Sequence, residues 1–337
     1  MPPLLLHIFL FLGSVFLLFW SGRLMIDSLI RIARFLGWKE FVAAFIVIAL
    51  AASLPNLFLG ISSALRRIPQ LSFGDVVGGN VVDLTLAVAL AALIAKGLPA
   101  ESKLVQTSAI FTIGIALLPL LLIYDGILGR GDGILLLLAF FFYIFWVFSK
   151  KERYAKIYEK DDTPVIKSFK NFLTDLGKLV LGMLFLIAAA EGMVRTALFL
   201  ADSFNLPLAL IGIFIVGLSN SLPETYFAVL SASKGETWMI LGDLMGSVIV
   251  AATLVLGIVA LIYPIEITNF SPFAIARIFL IMLSTIFFFL FVRTERKITR
   301  KEGIFLLTIY ILFLVFEIVA SRGQLYQFCL EGLDKCF

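Results

Sequence analysis

Apolar runs separated by short polar breaks fill the chain from end to end. Ten such runs can be marked, at residues 4–27, 41–65, 73–95, 104–124, 131–149, 172–200, 207–232, 240–262, 272–293 and 303–321. A helix that crosses a bilayer needs roughly 20 mostly apolar residues, so the pattern predicts an all-α integral membrane protein of about ten transmembrane helices, multi-pass in the cell membrane with the lipid bilayer as its first partner. The first run lacks a basic start and a small-residue cleavage pattern, so it reads as a span and not as a removable signal. The longest polar stretch, 150–171, is too short to be a domain. It reads as a linker between two five-helix halves, 1–149 and 172–337.

Composition agrees: 61% of the residues are hydrophobic and 15% charged, where a soluble chain carries about a quarter charged. The net charge of +4 is no sign of nucleic-acid binding, because Lys and Arg sit between the apolar runs, where they set orientation. With the N-terminus outside, the inner segments hold 19 Lys and Arg and the outer ones 6. The bias predicts both termini outside and the 150–171 loop in the cytoplasm. His7 is the single histidine, which excludes a histidine-rich metal site. Cys329 and Cys336 lie in the C-terminal tail, either paired in an oxidising space or present as two free thiols. No nucleophile–base pair and no cofactor motif speaks for an enzyme.

The chain repeats itself. Residues 51–60 read AASLPNLFLG and residues 219–228 read SNSLPETYFA; residues 74–84 read GDVVGGNVVDL and residues 242–252 read GDLMGSVIVAA. One offset of 168 aligns both pairs without a gap, matching Ser53, Leu54 and Pro55 to Ser221, Leu222 and Pro223, and Gly74, Asp75 and Gly78 to Gly242, Asp243 and Gly246. The repeats thus span 51–84 and 219–252. Five spans is an odd number, so the second copy runs in the opposite sense to the first. Two inverted five-helix repeats are a common plan for secondary transporters that rock around a central site.

Pro55 and Pro223 lie inside apolar runs. Each removes a helix N–H and crowds the carbonyl four residues back, that of Ala51 or Ser219. Freed backbone groups are tolerated in a membrane only where protein or a water-lined cavity satisfies them, and broken helices at matched positions point to an ion site. A plain kink without a ligand is the alternative. Glu224, an ionisable residue inside a span, is the sharpest candidate ligand. Asn56 holds the matching place in the first half, and Asn220, Ser53 and Ser221 offer oxygens within one helical turn. Asn80 and Asp83 share a face of the third span, and Ser247 matches Gly79. Gly74–Gly78 and Gly242–Gly246 have the spacing that lets membrane helices approach closely. Asp75 and Asp243 fall near the starts of their spans, where N-capping accounts for them as well as ion binding does. Glu191 and Arg195, four apart, read as a pair on one helix, and Glu317 as structural.

These segments resemble the alpha-repeats of the calcium/cation antiporter superfamily, the sodium/calcium exchangers, which carry G-[ST]-S-x-P-E followed by G-[ND]-x-x-G-S-N. The resemblance rests on residues 51–56 with 74–80 and on 219–224 with 242–248. It implies a cation antiporter that exchanges calcium, sodium or protons by alternating access at a midplane site, with no organic cofactor. Three departures stand out. The first-repeat Glu is Asn56, the Thr or Ser before the motif serine is Ala52 or Asn220, and the second-repeat Asn or Asp is Val248, which cannot ligate. A calcium ion wants six to eight oxygens, several of them charged. A missing charge at 4 Å is worth roughly 4 kcal/mol at an effective dielectric of 20, so Glu224 alone suits a monovalent cation or a proton unless Asp83 adds a second carboxylate. The weakened first repeat also fits a second class, a degenerate member serving as a membrane scaffold or sensor.

Overall fold

The computed structural model describes residues 3–35, 53–100, 103–149, 165–204, 211–235, 237, 240–267, 281–291 apart from 283 and 287, and 297–333. The expectations for 41–52, for the linker to residue 164, for 207–210, for most of 272–293, for Cys336 and for the Cys329 and Glu317 side chains lie outside them. The helices include α1 (Pro3–Phe35), α2 (Leu54–Leu65), α3 (Gln70–Ile94), α4 (Lys103–Leu122), α5 (Arg130–Ser149), α6 (Val165–Phe204), α7 (Gly217–Asn220), α8 (Leu222–Lys234), α9 (Ile240–Ile262) and α10 (Arg300–Leu333), and the described residues of 281–291 are helical as well. Among the described residues, five helical stretches are long and apolar enough to cross a membrane: Leu4–Ser21, Gln70–Ile94, Ser108–Asp125, Asn171–Phe204 and Ile240–Ile262. Their outward faces are apolar, with Phe9, Phe16, Leu121 and Leu184 exposed. In water such a surface would be a liability, but hydrocarbon accepts it.

The prolines act as helix starts. Pro55 and Pro223 each sit in the first turn of their helix, where the missing N–H would have had no intrahelical partner. The expected span 207–232 is therefore broken: α7 ends at Asn220, Ser221 turns the chain at φ −83° and ψ 0°, and α8 begins at Leu222.

A second matched feature was not legible in the sequence. The α-helical ladder of α3 opens into a π-helical turn at Val82–Ala87, and that of α9 does the same at Ala251–Val255. The two turns overlap at the 168-residue offset, where Asp83–Ala87 fall on Ala251–Val255. In each, a threonine bonds the carbonyl four residues back, Thr85 that of Val81 and Thr253 that of Ile249. A side-chain donor thus serves the backbone where its regular ladder is interrupted.

Two short antiparallel strand pairs cross-link the halves. β1 (Leu98–Pro99), which follows α3, pairs with β4 (Lys297–Ile298), which precedes α10. β2 (Ile127–Leu128), between α4 and α5, pairs with β3 (Ile265–Glu266), which follows α9. Exchanging the halves turns one pair into the other. Each pair holds its two connections at the same end of the bundle.

Packing is tightest where glycines let backbones touch. A Cβ at Gly78 would lie 2.7 Å from the Ile213 Cα, and one at Gly217 would lie 2.8 Å from the Gly79 nitrogen. Gly74 and Gly78 of α3 therefore abut the π-helical turn Gly212–Val216 that leads into α7. The close-approach reading holds for this glycine pair. At Gly242 a Cβ would meet none of the described atoms. On the other side, α1 and α6 pack through Leu18, Leu186, Met193 and Val194. Glu191 pairs with Arg195 at 2.8 Å as expected, and also with Arg66 at the end of α2. Arg31 of α1 pairs with Asp175 of α6 at 2.8 Å.

Candidate functional site

The eight residues singled out from the sequence, Ser53, Asn56, Asn80, Asp83, Asn220, Ser221, Glu224 and Ser247, are all buried. They lie on the two proline starts and on the middles of α3 and α9. Ser53 precedes α2 and its carbonyl accepts from the Leu57 N–H at 3.0 Å. Asn56 and Glu224 each occupy the first turn after the break, as their matched positions require. Asp83 lies inside the π-helical turn of α3.

The second break crosses the middle of α3 and is fastened to it. The Asn220 amide nitrogen donates to both oxygens of Asp75, at 3.0 Å each, and the Ser221 hydroxyl donates to the Gly79 carbonyl at 3.3 Å. Helix α8 then packs against the turn Val82–Ala87 of α3, as α2 packs against the turn Ala251–Val255 of α9. Glu224 is thereby brought within electrostatic reach of Asp83, Asp243 and Asp75. On the matched diagonal the corresponding residues, Asn56 and Ala251, are both uncharged. The repeats thus differ in that Glu224 and Asp83 are acidic where Asn56 and Ala251 are neutral, while Asp75 and Asp243 are common to both.

Among the described residues every ion pair lies elsewhere, on Asp175 and Glu191. The buried cluster instead carries oxygens with no hydrogen-bond partner among the described residues: Asn56 Oδ1, Asp83 Oδ1, Asn220 Oδ1, Glu224 Oε2, Thr225 Oγ1 and Asp243 Oδ1. Burying a carboxylate without compensation costs several kcal/mol, and unpaired polar groups in a membrane call for a partner. Hard oxygen donors are the ligands that Na⁺ and Ca²⁺ prefer. Among the described residues no three acidic, histidine or cysteine side chains converge closely enough to hold one metal ion. Amide, hydroxyl and backbone oxygens would therefore have to complete any coordination shell.

Two residues set aside from the sequence belong to this cluster. Asp75 is no N-cap: α3 starts at Gln70, so Asp75 lies in the second turn, fully buried and bonded to Asn220. Asp243 is in the first turn of α9 with Oδ1 unpartnered. The capping reading failed because both helices extend to the N-terminal side of the aspartates, by five residues for Asp75 and three for Asp243. The signal that pointed to them was their shared place in the repeat. Thr225, beside Glu224, and the Thr85–Thr253 pair were likewise missed.

Comparison with known proteins places this architecture. The family model "Sodium/calcium exchanger protein" matches residues 6–149 and 175–319. Relatives include the sodium/calcium exchanger MaX1 of Methanosarcina acetivorans, 26% identical over 91% of this chain and 96% of its own length. The putative antiporter CaxA of Alkalimonas amylolytica is 27% identical over 90% of this chain and 96% of its own. Among solved structures, the sodium-calcium exchanger NCX_Mj soaked with Na⁺ and Sr²⁺ superposes with a TM-score of 0.65 at 23% identity, covering 93% of this chain and 98% of that one. With both halves matched by one family model and the same helical membrane fold, the chain belongs to the sodium/calcium exchanger family.

Proposed function

We propose that the protein is a secondary active cation antiporter that moves one cation against sodium or protons by alternating access. The ion is held at the midplane by Glu224, Asp83, Asn56, Asn80, Ser53, Ser221, Asn220 and Ser247. The observation that carries this reading is the set of buried, unpartnered oxygens of Asn56, Asn220 and Glu224 at two matched proline breaks and of Asp83 in the α3 turn. The names of the relatives, a sodium/calcium exchanger and a putative antiporter, point to the same activity. In this reading the cations are substrates, calcium, sodium or protons, and no cofactor takes part.

The reading includes ten spans in two inverted halves, 1–149 and 172–337, joined by the cytoplasmic loop 150–171, with both termini outside. The strand pairs are consistent with it. Connections held at one end of the bundle must be separated by an even number of crossings, and the ten-span plan puts six between β1 and β4 and four between β2 and β3. The charge bias supplies the orientation.

Liposomes containing the purified protein should take up a cation when an opposing sodium or proton gradient is imposed, and should not do so without the gradient. A panel of cations with no gradient-dependent uptake of any of them would overturn the antiporter reading in favour of a scaffold or sensor. Orientation is tested separately by single cysteines at Glu159 and Leu333 in a background lacking Cys329 and Cys336. The expected labelling by an impermeant thiol reagent on intact cells is at 333 and not at 159. Labelling at 159 reverses the orientation, and labelling of both from one side changes the span count.

A further inference from the structure

We propose that Asp75 is a positioning residue for the transport site: it grips the Asn220 side chain by its amide nitrogen and so presents the Asn220 carbonyl oxygen to the transported cation. The proposal rests on the antiporter reading above and adds to it a specific residue on α3. A carboxylate only accepts hydrogen bonds, and both Asp75 oxygens accept from Asn220 Nδ2 at 3.0 Å. The amide is planar, with its oxygen at the other end from that nitrogen. Anchoring the nitrogen therefore aims the oxygen away from Asp75, and this buried Oδ1 has no partner among the described residues. An acceptor at the donor end also polarises the amide and strengthens its oxygen as a ligand.

The anchor cannot drift. At Gly217, three residues before Asn220, a Cβ would lie 2.9 Å from the Asp75 carbonyl oxygen and 2.8 Å from the Gly79 nitrogen, so the two backbones are already in contact. The Ser221 hydroxyl holds the following residue to Gly79. Asn220 and Glu224 flank the proline break, one on each side, and Asp75 thus fixes the side that precedes it.

The other half lacks this device. The position matched to Asn220 is Ala52, which has no amide to give, while Asp243, the twin of Asp75, keeps an unpartnered oxygen. The pairing is therefore not a demand of the repeated fold, which is built without it once. It belongs to the half that carries Glu224.

The test uses the full-length protein in liposomes, with uptake measured against the concentration of whichever cation the wild type carries, and a thermal midpoint recorded for each variant. In Asp75→Asn the new amide can donate to Asn220 Oδ1 and occupy it. We expect KM to rise about tenfold, equivalent to about 1.4 kcal/mol, with the maximal rate nearly unchanged. Asn220→Ala should raise KM to a similar degree, and adding it to Asp75→Asn should bring no further rise. The exchange Asp75→Asn with Asn220→Asp restores a donor–acceptor pair and points a carboxylate oxygen at the ion, so KM should return to the wild-type value or below. A purely structural role predicts loss of maximal rate and midpoint together, with KM constant. Unchanged KM in Asp75→Asn overturns the proposal. If that variant does not fold, unchanged KM in Asn220→Ala overturns it equally. Absence of any wild-type uptake would instead remove the antiporter reading on which it stands.

Discussion

Replacing Glu224 with Gln is expected to abolish cation transport while leaving a folded protein. The substitution keeps shape and volume and removes one charge from a side chain that is 4% exposed. Among the described residues Glu224 has no basic partner, so the variant breaks no ion pair. It also relieves repulsion with Asp83, Asp243 and Asp75, and stability should be equal or higher. The ion loses far more. A charge 4 Å from a cation contributes roughly 4 kcal/mol at an effective dielectric of 20, which is roughly a thousandfold in affinity. Gradient-driven uptake into liposomes should fall to that of protein-free vesicles, with the thermal midpoint preserved. Transport equal to wild type would take Glu224 out of the site, and with it the reading of the second proline break as an ion-binding element.

Asp83→Asn is expected to lose divalent transport selectively, and Asn56→Glu to restore it. In the family pattern a Glu follows each motif proline, and here the first of them is Asn56. The structure brings Asp83 of the α3 turn within electrostatic reach of Glu224, so these two carboxylates can together balance a divalent ion. Removing Asp83 leaves one of them, and one positive charge of Ca²⁺ is then uncompensated. Adding Glu at position 56, on the diagonal that now has no charge, should make up the deficit. In the wild-type background Asn56→Glu should strengthen Ca²⁺ uptake. Protons compete with a divalent ion for paired carboxylates, so uptake by this variant should weaken more steeply as the pH is lowered. Calcium flux for the wild type, both single variants and the double variant across a pH series checks the whole set. Strong calcium transport that survives Asp83→Asn would overturn this charge accounting and turn attention to Asp243, the remaining buried acid with an unpartnered oxygen.

Much of this protein is written in the order of its residues. A membrane fold follows from the apolar runs, because a bilayer imposes one length and one solvent on every span. The repeat is legible because Ser-Leu-Pro and Gly-Asp recur at a single offset. The two breaks are legible because proline has no N–H to give. All eight residues chosen on these grounds proved to be buried. Tertiary structure decided what these local rules could not reach. The role of Asp75 depends on Asn220, 145 positions away. Sequence distance hides such a pair, and the nearer explanation, a helix cap, was a local one. The sequence could offer Asp83 only as a conditional second carboxylate, and it is the crossing of α8 over α3 that brings it within electrostatic reach of Glu224. The paired π-helical turns were hidden for a different reason: opening a helix by one residue has no residue-type signature, and only the spacing of backbone bonds reveals it. A membrane chain announces its spans and its breaks through local chemistry. Which oxygens face one another is settled by how the helices cross, and here glycines at 78 and 217 set that crossing by letting two backbones meet.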